Sequence, residues 1–216
     1  MKYSTRAEYW VDPKSGIPRY EFNELYQDYS DPWGCGKDFN SIVNRLFLEI
    51  LFPPGKIYKS FLDIGCGTGE LTNWISCRNN YCEVESAGNQ EVGFDISSIA
   101  IDRAKKKFPD IEFLCVDILK DDFASMEKFQ LIVCAEVIWY FANKIQDVLK
   151  KISSIMEVDS ILAIHQYFPN EQRYFKSQIS GVSGFLNIMK ESNFQLDEKV
   201  IYHTDDGIVL LAKFGH

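Results

Sequence analysis

SFLDIGCGTGELT, residues 60–72, decides how the rest of the chain is read. It opens on a short apolar run, Phe61-Leu62-Asp63-Ile64, the composition of a strand buried in a parallel sheet. It breaks into Gly65-Cys66-Gly67-Thr68-Gly69, and a helical pattern follows from Glu70 to Ser76 with Leu71, Trp74 and Ile75 on one face. Strand, glycine turn and helix is the layout of a nucleotide-binding crossover. Without Cβ atoms the turn can take positive φ, and a ligand can lie directly against the backbone.

The spacing is Gly-x-Gly-x-Gly, not the Gly-x-Gly-x-x-Gly of dinucleotide dehydrogenases. With Leu62-Asp63-Ile64 ahead of it and Glu70 behind, the string resembles the first motif of class I S-adenosylmethionine-dependent methyltransferases. The resemblance implies S-adenosyl-L-methionine as cofactor, with Asp63, Gly65, Cys66, Gly67, Thr68 and Gly69 around its methionyl part. The alternative is a tight strand-to-helix turn that holds nothing.

Downstream residues extend the resemblance. Glu91-Val92-Gly93-Phe94-Asp95 reads as a second strand ending in an acid. A carboxylate there can accept hydrogen bonds from both ribose hydroxyls, with Ile96 beside it. Asp95 can equally serve as a helix-start carboxylate, since Ser97 or Ser98 follows as an N-cap. A helix over Ile99–Phe108 and a third strand over Ile111–Val116 come next, closed by Asp117-Ile118. In the family an acid at this position meets the adenine amino group and its apolar neighbour packs on the ring. The competing role for Asp117 is a turn cap, given Asp121 and Asp122 nearby.

Phe129–Cys134 is the most apolar strand and therefore central, although Gln130 stands where family members usually carry Asp. Ala135-Glu136-Val137-Ile138-Trp139-Tyr140-Phe141 occupies the family position beneath the transferable methyl group. It resembles the Ser-Glu-Val-Leu-Tyr-Tyr stretch of NodS-like enzymes, as Asp31-Pro32-Trp33 resembles their N-terminal segment. NodS-like enzymes methylate the free amine of a chito-oligosaccharide, so the resemblance implies a small polar acceptor such as a sugar, amino sugar or glycan precursor.

The remaining pattern completes one α/β domain. An amphipathic helix over Asn143–Met156 precedes a fifth strand, Ser160–His165, and a helix over Gly181–Ser192 precedes strands at Gln195–Tyr202 and Gly207–Phe214. The short turn Thr204-Asp205-Asp206 makes those last two a hairpin. The fold expected is α/β: a Rossmann-like three-layer sandwich with a seven-stranded, mostly parallel sheet and a C-terminal antiparallel hairpin. Residues 1–59 form an aromatic-rich, partly helical N-terminal cap, with a helix over Asp38–Leu51 and Trp33 near the cofactor; residues 60–216 form the cofactor-binding domain. Cys77–Gln90 reads as a polar surface insertion.

Three side chains are candidates for chemistry. His165 ends the fifth strand at the edge where open α/β sheets bind ligands, and its unperturbed pKa suits a general base; it can equally hydrogen-bond a substrate hydroxyl or cap the strand end. Glu136 can orient the acceptor or hydrogen-bond the backbone around the cofactor, and Tyr140 can help place the acceptor. Trp139, Tyr140, Tyr167 and Phe168 are expected to wall the acceptor pocket, where aromatic faces can stabilise a cationic methyl donor.

Composition narrows the partners. The formal net charge of −8 disfavours a phosphate backbone, so no nucleic acid is expected. No apolar run is long enough for a bilayer and no signal peptide is visible, so a cytoplasmic chain with no membrane partner is expected; the oligomeric state expected is monomer or homodimer. The six cysteines lack Cys-x-x-Cys spacing and read as reduced, mostly buried thiols. His165, His203 and His216 are scattered, so no metal site is expected. Two other functions stay open: a non-catalytic S-adenosylmethionine-binding sensor or scaffold, whose cofactor residues would look the same, and a nicotinamide-dependent oxidoreductase, against which the glycine spacing, Asp117 and the terminal hairpin speak.

Overall fold

The computed structural model describes residues 1–34, 42–80, 89–123 and 125–215. Its centre is a seven-stranded sheet in the order β3-β2-β1-β4-β5-β7-β6. The strands are β1 (Ser60–Ile64), β2 (Gln90–Asp95), β3 (Glu112–Cys115), β4 (Phe129–Ala135), β5 (Met156–Pro169), β6 (Gln195–His203) and β7 (Gly207–Gly215). β1 to β5 run parallel, whereas β7 is antiparallel to both β5 and β6. The expected Rossmann-like sheet and terminal hairpin are therefore present.

The period-2 alternation of each strand divides the core into two layers. Leu62 and Ile64 of β1, Ile132 and Cys134 of β4, and Leu162 and Ile164 of β5 face one side. They pack there with α5 (Ile145–Ser154) and α6 (Gly181–Glu191). Phe61, Leu131, Val133 and Ala163 face the other, against α2 (Ile42–Leu51) and α3 (Glu70–Asn80). α4 (Ser98–Lys107) covers Phe113 of β3 with Ile101 and Ala104. β1 is buried along its whole length, which is why its one carboxylate, Asp63, matters below.

Several boundaries differ from the sequence reading. α3 runs to Asn80 rather than stopping at Ser76, because Asn79 ties the helix to the chain ahead of β1. Its side-chain amide accepts from Tyr58 N at 2.8 Å and donates to Tyr58 O at 2.6 Å. Part of the expected insertion is thus helix, and residues 81–88 lie outside the described residues. The expected helix over Asn143–Met156 starts as a 3-10 segment, Ile138–Lys144, and is regular only over α5. Met156 already pairs with Phe129, so β5 begins four residues early, with a register shift before Ile161 meets Leu131. Of the expected Asp38–Leu51 helix, residues 38–41 lie outside the described residues. Cys66 and Cys134 are buried as expected, but Cys77 and Cys115 are exposed, Cys115 because it ends the edge strand β3; Cys35 and Cys82 lie outside the described residues. No helix among the described residues is long and apolar enough to cross a membrane.

The first 59 residues serve two purposes. α2 belongs to the helical layer under the sheet, with Phe47 and Leu51 in its core. The 3-10 turn Arg6–Tyr9 and α1 (Phe22–Asp28) instead form a separate aromatic cluster around Tyr9, Phe22 and Leu25. That cluster is latched to α4. Asn23 Oδ1 accepts from Ser97 Oγ at 2.9 Å, and Arg103 donates to the carbonyls of Tyr26 (2.7 Å), Tyr29 (3.0 Å) and Ser30 (3.2 Å). One guanidinium thus satisfies carbonyls at and just beyond the end of α1, where a helix leaves acceptors open. Arg103→Ala should cost about 1–3 kcal/mol and act locally. Hydrogen exchange should accelerate over residues 22–30 and stay unchanged in β1 and β4; uniform acceleration would show that the latch is not local.

Candidate active site

The carboxyl ends of β1, β2, β4 and β5 open onto a cavity of about 440 Å³, covered on its far side by Trp10, Phe22, Tyr26 and Trp33 of the N-terminal segment. Its floor is the glycine turn. Gly65, Gly67 and Gly69 have φ of 79°, 55° and 86°, a region in which side chains are strained. Space forbids side chains as well. A Cβ on Gly65 would run into the Val137 side chain, one on Gly67 would lie 2.7 Å from Tyr26 Oη, and one on Gly69 2.7 Å from the Phe113 ring.

The turn is tied to β2. Gly65 N and Cys66 N both donate to Phe94 O, at 2.7 and 2.8 Å. Gly67 N donates to Asp95 Oδ2 at 2.9 Å, and Ser97 N to Asp95 Oδ1 at 2.8 Å. Asp95 therefore holds the turn and caps the approach to α4 while still lining the cavity. Cys66 is buried beside Ile101 and Ala104, and burial pushes its thiol well above the usual range. Thr68 Oγ1 donates to Glu70 Oε2 at 2.5 Å. Gly69 is the one predicted loop residue absent from the cavity wall; its N–H closes the turn onto Cys66 O at 2.9 Å.

Asp63 is 1% exposed, with Oδ2 accepting from Thr72 Oγ1 at 2.7 Å. Burial pushes its carboxyl up to about 7, and the neighbouring Asp95 adds to the shift. Burial likewise pushes Asp95 up to about 6. Among the described residues neither carboxylate has an ion-pair partner. A ligand bringing positive charge and hydroxyl donors would complete both, and the cofactor expected from the sequence carries a sulfonium, an ammonium and a ribose. The residues present fit that group.

Asp117 and Ile118 line the wall beyond Asp95. The Asp117 carboxylate is engaged in its own turn, accepting from Leu119 N at 3.0 Å and pairing with Lys120 Nζ at 2.9 Å. Its cap role is thus present in the structure, alongside any contact it makes with a ligand.

On the opposite wall, Ala135 ends β4 and Glu136 follows with φ of 57°. Glu136 N donates to His165 O at 2.8 Å. Its carboxylate receives Tyr167 N (2.9 Å) and Gln166 Nε2 (2.9 Å), with His165 Nδ1 at 3.3 Å. His165 lies beside Phe47, with ring centroids 5.4 Å apart, and its Nε2 is buried with no hydrogen-bond partner among the described residues. Tyr140 packs edge-on against Phe22 (4.9 Å) and Trp10 (5.4 Å), and Trp33 donates from Nε1 to Tyr26 Oη at 3.2 Å.

Two expected wall residues are elsewhere. Phe168 faces the opposite side of β5 and is buried against Trp139 and Phe185. Tyr167 lies beyond the cavity, with its hydroxyl on Asp206 O at 3.0 Å. Conversely, the sequence reading passed over Phe47, Asn44 and the buried amide of Gln166. Gln166 carried a signal: it interrupts the apolar face Leu162, Ile164, Phe168 of a buried strand, and a polar group there needs a partner.

Residues 62–162 match the family model described as a methyltransferase domain. The fold is shared with solved methyltransferases. The N-methyltransferase NodS from Bradyrhizobium japonicum, solved with S-adenosylhomocysteine, superposes with a TM-score of 0.68 at 21% identity, over 90% of this chain and 96% of NodS. A TehB-like methyltransferase from Corynebacterium glutamicum gives 0.63 at 22% identity, over 88% and 96% of the two chains. At such identities the likeness is one of fold. "Putative methyltransferase 235L" of Invertebrate iridescent virus 6 is 30% identical over 127 residues, 59% of this chain, and the chain spans only 43% of that protein's length.

The two buried carboxyls at the cavity give an electrostatic signature that can be measured. A carboxyl raised from its ordinary value makes the folded state bind more protons than the unfolded one. The resulting stability is present below the unfolded pKa of about 3.9 and is lost as pH rises through 6 and 7, the folded values of Asp95 and Asp63. Asp63→Asn keeps an acceptor for Thr72 and removes the charge. Its Tm should exceed that of the parent at pH 7.5, by about 2–4 °C per kcal/mol, and approach it at pH 5. Parallel pH curves would show that Asp63 does not titrate in this range.

Proposed function

We propose that this chain transfers a methyl group from S-adenosyl-L-methionine to an oxygen or nitrogen of a small polar acceptor, of the sugar, amino-sugar or glycan-precursor class. One juxtaposition carries the proposal. The positive-φ glycine turn with Asp63 and Asp95, and the His165–Glu136 pair, line one cavity. The cofactor supplies a methyl group already activated on a cationic sulfur. What the protein must add is position, dryness and a place for the acceptor's proton.

Each residue has a part in this reading. Gly65 and Gly67 let the methionyl part lie against the backbone, with Cys66 and Thr68 completing the turn and Gly69 closing it. Asp63 answers the cofactor's positive charge. Asp95 accepts from the ribose hydroxyls, with Ile96 beside it, and Asp117 and Ile118 border the adenine. Ala135 leaves room beneath the methyl group. Trp33 and Tyr140, with Trp10 and Phe22, close the site and exclude water from the reacting atoms. His165 takes the proton. The acidic balance of the chain favours a small molecule over nucleic acid, and a cytoplasmic monomer or homodimer is the form proposed.

Calorimetry of the purified chain tests the cofactor. S-adenosylmethionine and S-adenosylhomocysteine should bind at micromolar concentration and NADH should not; binding of NADH alone would replace the proposal with a nicotinamide enzyme. Asp95→Ala should weaken S-adenosylhomocysteine binding at least tenfold, or about 1.4 kcal/mol, and unchanged affinity would remove Asp95 from the ribose role. His165→Asn should keep cofactor affinity and lower turnover, by ~10²-fold or more if a general base is lost, with amino sugars, nucleotide sugars and phenols as the acceptor panel. An undiminished rate would exclude His165 as the base.

A further inference from the structure

We propose that Glu136 and Gln166 are positioning residues that hold His165 with its proton on Nδ1, leaving Nε2 as the atom that receives the acceptor's proton. The inference rests on the methyl-transfer reading and deepens it by assigning the tautomer. Its starting point is Gln166, a fully buried amide inside an apolar strand. Its Oε1 accepts from Ile138 N at 3.0 Å, and its Nε2 donates to Glu136 Oε2 at 2.9 Å and to Tyr167 O at 3.2 Å. Turned over, the amide would place a donor against the Ile138 N–H and acceptors against the Glu136 carboxylate and the Tyr167 carbonyl. Only one orientation satisfies all three neighbours.

Glu136 is fixed in turn. A non-glycine residue at φ 57° is strained and persists where its surroundings over-determine it. Here they do so through the Glu136 N–H on His165 O, and through Tyr167 N and Gln166 Nε2 on the two carboxylate oxygens. An ionised carboxylate only accepts. Of the two ring nitrogens it is Nδ1 that lies 3.3 Å from Oε1, and a carboxylate at that position favours the ring form with hydrogen on Nδ1. In the neutral ring Nε2 then holds a lone pair.

Nε2 is buried, without a partner among the described residues, in a side chain that lines the cavity. Nε2 has almost no accessible surface as it stands, so an O–H or N–H of the acceptor completes it after the neighbouring Phe47 ring moves aside. As the acceptor's oxygen or nitrogen gains the methyl group, its own hydrogen passes to Nε2. The imidazolium formed keeps its positive charge beside Glu136, and the proton returns to water when the product leaves. Glu136 acts through His165 and does not itself take the proton.

Nitrogen-15 NMR of the histidine-labelled chain at pH 7.5, free and with S-adenosylhomocysteine, reads the tautomer without any acceptor. His165→Asn assigns the signal. The parent should show Nδ1 in the protonated range and Nε2 in the unprotonated range. Glu136→Gly suits the positive φ and keeps the backbone N–H, so it should fold and move population to the Nε2–H form; Glu136→Asp should restore part of the Nδ1–H preference. An Nε2–H signal in the parent overturns the proposal, as does an unmoved Nδ1–H signal in Glu136→Gly. Should that variant not fold, the parent spectrum alone decides. Calorimetry with S-adenosylhomocysteine on the same samples reports the cofactor reading separately, since lost binding with the tautomer intact counts against the cofactor and not against the clamp.

Discussion

The hydrogen bond from the Gly67 amide to the Asp95 carboxylate joins the ends of two adjacent strands, and the site is assembled around it. It requires a chain that doubles back over β1 with three residues at positive φ. It also requires β2 to finish in register with β1, which the pairing of Ile64 with Phe94 supplies. Two further amides on Phe94 O lock the turn. Tyr26 Oη then sits where a Gly67 side chain would be, so the N-terminal segment can approach only because the turn is bare. The arrangement of strand ends, turn and cap follows from one steric fact, the absence of Cβ at these positions.

The same turn concentrates charge that the fold does not neutralise. Burial raises the proton affinity of both Asp63 and Asp95, and Asp95 lies close enough to raise that of Asp63 further. A domain selected for stability alone would place an apolar residue at position 63, in the middle of an otherwise apolar strand. Retaining a carboxylate there costs stability when the site is empty of positive charge, and a cationic ligand offsets that cost. The opposite wall shows a parallel arrangement: Glu136 keeps a strained backbone, held by three hydrogen bonds to the end of β5. Strain and unneutralised charge both sit at the cavity, and the regular packing of the two core layers makes them tolerable.

The cap illustrates how an irregular segment acquires a defined position. Its aromatic residues are not distributed over the surface but gathered around Tyr9, Phe22 and Leu25, and Tyr140 of the segment after β4 inserts among them. Arg103 and Asn23 then fasten the cluster to α4, the helix that also flanks the glycine turn. The cavity wall and the N-terminal cluster thus share a support in α4.

By itself the sequence determined the crossover and the sheet. Apolar runs at Phe61–Ile64 and Leu131–Cys134, glycines at 65, 67 and 69, and acids after the second and third strands are local patterns, and local patterns constrain backbone conformation directly. Even the terminal hairpin was legible, because Thr204-Asp205-Asp206 leaves no room for a crossover. Tertiary structure alone decided which side chains meet. Glu136 and His165 are 29 positions apart in sequence, and only the pairing of Ala135 with His165 brings them together. Tyr167 and Phe168 looked equivalent to His165 as neighbours on one strand end, yet the pleat sends Phe168 into the opposite core and the antiparallel β7 draws Tyr167 to Asp206. The commitment of Arg103 to the N-terminal segment was likewise invisible, since hydrogen-bond partners distant in sequence leave no periodicity to read, whereas the turn-cap role of Asp117, whose partners are two and three residues away, was already open from the sequence.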